Sequence, residues 1–86
     1  LMVSKLQVRK LMLQDKNWRV YGEFVGSLIV KVRVEKRTYS DTVESVHFLL
    51  PGDEVTEIDE TLPNAIAAEV ARLCDQMRED ARGDDA

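Results

Sequence analysis

From Trp18 to Glu35 the chain reads as two runs with a period of two, rich in β-branched residues and parted at Gly26-Ser27. Trp18, Val20, Gly22 and Phe24 fall on one side of an extended strand; Arg19, Tyr21, Glu23 and Val25 fall on the other. Leu28, Val30, Val32 and Val34 then alternate with Ile29, Lys31, Arg33 and Glu35. A helix would scatter these residues around its circumference, whereas two strands gather them into faces. The segment therefore predicts an antiparallel hairpin with Gly26-Ser27 at its tip.

The loop length decides which faces coincide, because a slip of one residue exchanges them. A two-residue loop pairs Val25 with Leu28 and turns Trp18 to the side of Lys31 and Arg33. A three-residue loop pairs Phe24 with Leu28, Gly22 with Val30, Val20 with Val32 and Trp18 with Val34. The second pairing leaves one clean apolar face and is preferred, although Gly26 does not stand where the usual three-residue loop places its glycine.

Other elements attach to this hairpin. Residues 3–13 alternate imperfectly, slipping at Arg9–Lys10, which fits a strand with a bulge there; a short helix is the competing reading. Gln14–Asn17 is a polar turn. After a reversal at Thr38–Asp41, Thr42–Leu50 reads as a fourth strand. Val46, Phe48 and Leu50 face one way in it, and Val43, Ser45, His47 and Leu49 the other. Pro51-Gly52-Asp53-Glu54 ends it, and Val55–Ile58 adds a short extended piece.

Ile66, Val70, Leu73 and Met77 form the apolar stripe of a C-terminal helix, with Pro63 at its first position and Gly83 at its end. Asp59 and Glu60 precede it, where negative charge favours the helix start. The fold class predicted is α+β, a four-stranded antiparallel meander with one amphipathic helix on one face. It occupies residues 1–82 as one domain, with 83–86 as a frayed acidic tail. Leu1 precedes Met2, which reads as the natural start.

Composition narrows the functional classes. With 86 residues, 44% of them hydrophobic and 33% charged, the chain supports one modest core and no deep cleft. One cysteine excludes an internal disulfide framework. Without a long apolar run or a signal-peptide layout, no membrane contact is expected and the cytoplasm is the expected compartment. Residues 1–40 hold nine Lys/Arg against three acids, and the remainder holds thirteen acids against three Arg. Such segregation predicts an electric dipole, a basic sheet against an acidic helix, that bears on partners.

No motif carries catalysis. His47 and Cys74 could form a base–thiol pair, but nothing orients the histidine and Cys74 flanks the apolar stripe, where a small buried hydrophobe is the simpler reading. The acids from Asp53 to Glu60 lack the alternation and central glycine of a calcium loop. Gly22 and Gly26 are too sparse to cradle phosphate. Arg82-Gly83-Asp84 is more simply a helix end than an adhesion signal. No enzyme activity, cofactor, metal or small-molecule substrate is expected.

The outer face of the sheet is the candidate interaction surface. Arg19, Tyr21, Lys31 and Arg33 gather there, Arg37 extends the row, Lys5 or Arg9 adjoins it, and Val25 and Ile29 supply apolar contacts near the hairpin tip. Two functions fit. The leading one is a non-catalytic binding or regulatory protein, a homodimer or an inhibitor or adaptor of a larger complex. The alternative is a single-stranded nucleic-acid binder, with bases stacking on Tyr21 and phosphates on the cations. Glu23 and Glu35 on the same face, and a sequence pI near 4.9, weigh against the alternative.

Overall fold

A computed structural model describes residues 6–58 and 61–83, with Glu57 described through its backbone alone. Strands β1 (Gln7–Asp15), β2 (Trp18–Val25), β3 (Leu28–Arg37) and β4 (Val43–Leu49) pair antiparallel in that spatial order, and α1 (Asn64–Gly83) packs chiefly on β3. This is the ββββα meander that the patterning predicts. Residues 1–5, Asp59, Glu60 and the tail 84–86, on which some expectations rest, lie outside the described residues.

The hairpin combines the two alternatives. Val25 pairs with Leu28, so the loop has two residues rather than the preferred three. Gly26 takes φ +61° at the first loop position, where the II′ class of hairpin turn places glycine. One step later Phe24 pairs with Ile29 and Glu23 with Lys31, which leaves Val30 as an extra residue on β3. That bulge reverses the phase, so Gly22 lies opposite Val32 and Val20 opposite Val34. Trp18 consequently pairs with Lys36 rather than Val34, and the Lys36 ammonium sits 5.6 Å from the indole centroid. Ile29 is turned inward and is 2% exposed, taking the core position expected of Val30.

A second bulge lies on β1 at Met12, between the pairs Leu11–Tyr21 and Leu13–Val20, instead of at Arg9–Lys10. Placed there, it brings Met12 and Leu13 against the core while Arg9 stays in register with Glu23. Gly22 has a steric reason: a Cβ would lie 2.8 Å from Phe24 Cε1 and 3.2 Å from Ile29 Cδ1.

The core joins Trp18, Val20, Ile29, Val32, Val34 and Leu49 of the sheet to Ile66, Val70, Leu73, Cys74 and Met77 of α1. Each large apolar side chain in the helix stripe contributes about 1.5–3 kcal/mol on burial. Val55–Glu57 forms a 3-10 turn, not the extended piece expected; the Ile58 N–H closes onto the Val55 carbonyl at 3.1 Å and Ile58 is buried. The tight turn drops Ile58 into the core within a short connection. The Pro63 carbonyl accepts the Ala67 N–H at 2.9 Å, so Pro63 caps α1 one residue before its expected position.

One long-range bond ties the helix to the hairpin: the Ile29 N–H donates to Asp80 Oδ2 at 2.9 Å. It satisfies a backbone donor next to the Val30 bulge. Asp80→Ala should lower stability by about 1–2 kcal/mol in urea unfolding, whereas Asp80→Asn, which keeps an acceptor oxygen, should lose less. Equal losses would mean that the bond to Ile29 contributes nothing.

Candidate interaction site on the outer face of the sheet

The sheet face away from α1 is built in rows set by strand register. Arg9, Glu23 and Lys31 form one row across β1, β2 and β3. Leu11, Tyr21, Arg33 and Phe48 form the next, across all four strands. Arg19, Glu35 and Val46 form a third. Of the residues expected here, Arg19, Tyr21, Lys31, Arg33 and Arg37 lie on this face, and Val25 lies half-buried at the hairpin end. Ile29 does not belong to this face, because the Val30 bulge turns it under the helix. Lys5 lies outside the described residues.

Period-two counting on β4 left its two sides unassigned. Leu49 pairs with Val32 and is buried beneath α1, which sends Phe48 and Val46 to the outer face. Phe48 is 49% exposed and Leu11 is 51% exposed, so the second row presents half-open apolar groups at both ends, with Tyr21 and Arg33 between them. The signal was present: a β4 pairing that matches Leu49 to the apolar side of β3 forces its neighbours outward.

Cations on this face already have partners. Arg33 Nε donates to Glu35 Oε2 at 2.6 Å, and Arg37 Nη2 lies 2.8 Å from Glu35 Oε1. Arg19 Nη2 donates to Asp41 Oδ1 at 2.9 Å, and Arg37 also reaches Asp41. Asp41 holds φ +64°, a conformation aspartate tolerates in turns, which brings its carboxylate alongside both arginines. Arg9 lies 5.9 Å from the Tyr21 ring centroid, while Lys31 and Arg33 lie 5.1 and 5.3 Å from that of Phe48.

Two carboxylates are buried at the centre of this otherwise open face. Glu35 is 2% exposed and fully paired. Glu23 is 7% exposed; its Oε1 accepts from Gln7 Nε2 at 3.0 Å, and its Oε2 has no hydrogen-bond partner. The arginines of this face are thus largely paired with its own carboxylates. On α1 the same holds, with Glu69–Arg72, Asp75–Arg78 and Glu79–Arg82 paired one turn apart.

Elsewhere the chemistry is quiet. His47 lies on the helix side of β4, opposite Val34, and burial pushes the Cys74 thiol above its ordinary value, away from the thiolate a nucleophile needs. Among the described residues no group of three His, Cys, Asp or Glu is placed to hold a metal ion, and no helix is long and apolar enough to cross a membrane.

Burial by itself is the largest influence on the Glu35 carboxyl and pushes it up; the hydrogen bonds and charges of Arg33 and Arg37 together outweigh it and hold the carboxyl below its ordinary value. A lowered folded-state value means that the stabilisation is complete above the unfolded value, about 4.3, and is lost as pH falls through the folded one. Glu35→Gln should therefore lose about 1–3 kcal/mol at neutral pH, with the gap to wild type closing in acid. Urea unfolding at stepped pH measures this, and a gap independent of pH would refute it. No protein-family model, curated protein or solved structure matches this chain, so the role of the face rests on its own residues.

Proposed function

We propose that the chain is a non-catalytic binding module whose outer sheet face docks a protein, in a homodimer or as an inhibitor or adaptor of a larger complex. The observation that carries this is the row Leu11–Tyr21–Arg33–Phe48: half-open apolar and aromatic groups around an arginine, bordered by ion pairs. Aromatic residues and arginine at the centre with a polar rim are the composition of protein interfaces, where such anchors supply most of the affinity.

A phosphate backbone suits this face less well. Arg19, Arg33 and Arg37 are held by Glu35 and Asp41, and a strand of phosphates would have to break those pairs beside the buried Glu23 and Glu35. Both rings lie under cations of the same chain, leaving no bare platform for bases. A reducing compartment, the cytoplasm, suits a chain whose one cysteine is a buried free thiol.

A photo-crosslinking amino acid in place of Phe48 tests the proposal. In nuclease-treated host lysate it should form protein adducts, and adding Tyr21→Asp should abolish them. Adducts that disappear with nuclease treatment, or none at all, would defeat it.

A further inference from the structure

β1 closes the sheet on one side, and among the described residues it pairs with β2 alone. Alternate N–H and C=O groups of such a strand point away from the sheet, where a further strand can pair with them. Its first half is open on both faces as well, because α1 packs chiefly on β3 and each of residues 6–11 is exposed. Leu6, Val8 and Lys10 share the helix side, where Leu6 is 81% and Val8 47% exposed; Gln7, Arg9 and Leu11 share the outer side. Beyond Leu11 the bulge at Met12 turns the chain against the core and ends this open run. β4, at the opposite edge, is less open. Ser45, Val46 and His47 are half-buried there, Leu49 is buried, and the charge it carries is Glu44, 3.8 Å from Lys36.

We infer that the free edge of β1 takes up an extended acidic segment of a partner protein as a fifth strand, paired along residues 6–11. This goes beyond the outer-face docking proposed above, since it uses the backbone of the edge. Strand addition draws its affinity from main-chain hydrogen bonds and its selectivity from the side chains that alternate on either face. Here the selectivity is electrostatic. Arg9 on one face and Lys10 on the other make the edge positive on both sides, with no acid among residues 6–11. Both already rest on rings of their own chain, Arg9 on Tyr21 and Lys10 on Phe24. They lack no partner; their exposed charge discriminates among incoming strands. A second copy of β1 is disfavoured, because antiparallel pairing over Gln7–Leu11 sets Arg9 directly against Arg9. A shifted register still crowds Arg9 and Lys10 of both copies into one seam, and cations at a free edge commonly guard against such pairing. The aliphatic residues complete the pattern. From the position opposite Leu11 to that opposite Leu6, an antiparallel partner reads apolar, acidic, acidic, apolar, polar, apolar.

Fluorescence anisotropy with a labelled peptide whose central run is Val-Glu-Glu-Val-Thr-Val tests this. The chain should bind it, and should bind the same peptide with lysine in place of both glutamates at least about tenfold more weakly. Arg9→Glu with Lys10→Glu should reverse that preference, and binding of the lysine peptide then shows that the variant is folded. Methylating alternate backbone nitrogens of the peptide separates strand addition from general attraction. One alternate set should abolish binding and the other leave it intact, since only one edge of an added strand faces β1. Bound peptide should also slow hydrogen exchange at the outward-pointing amides of residues 6–11. No binding at millimolar peptide, equal binding of the two peptides by wild type, or equal effects of the two methylated sets would overturn the inference. Phe48→Ala should leave peptide binding unchanged, so that the edge and the outer face stand or fail separately.

Discussion

The extra residue that β3 carries at Val30 determines which side of every later position on that strand is dry. Gly26 favours a tight two-residue tip, and a tight tip followed by regular pairing would have turned Lys31, Arg33 and Glu35 toward the helix. Charged groups without partners in the core would cost more than the domain's stability can bear. One unpaired position in the ladder removes that conflict, and the irregular backbone is braced from the helix through Asp80. The inner and outer surfaces both follow from it: Val32 and Val34 meet α1, and Lys31, Arg33 and Glu35 form the polar side.

That polar side is better described as a lattice of mutual compensation than as a basic patch. Glu35 holds two arginines, Asp41 holds Arg19 and shares Arg37, and the aromatic rings take the remaining cations. Each arginine is thereby fixed in direction. A fixed guanidinium beside a half-open ring loses less entropy on contact than a free one, which favours specific recognition over general attraction. Glu23 departs from the scheme, and for that reason it distinguishes the face from an ordinary solvated one.

Much of this was legible in the chain itself. The alternation through β2 and β3 specified the strands and assigned Trp18 and Val20 to the helix side, and the Ile66–Met77 stripe specified the helix. Bulges were the obstacle. Period-two counting cannot place an added residue whose only signal is that apolar faces would otherwise disagree, so it turns Ile29 outward and puts the slip in β1 at Arg9–Lys10. Phe48 was missed for a related reason, since the side of β4 depends on its register with β3, which only the folded sheet sets. Parity did put Glu23 and Glu35 on the outer face. Their burial there depends on long side chains folding over them, and no local pattern encodes that.

The bond between Ile29 and Asp80 spans 51 residues of sequence. During synthesis the β2–β3 hairpin emerges well before the helix turn that braces it. Until the helix has been made, Val20, Val32 and Val34 lack the side chains that bury them, and the bulge lacks its anchor at Asp80. A hairpin formed before that point leaves its driest surface facing water.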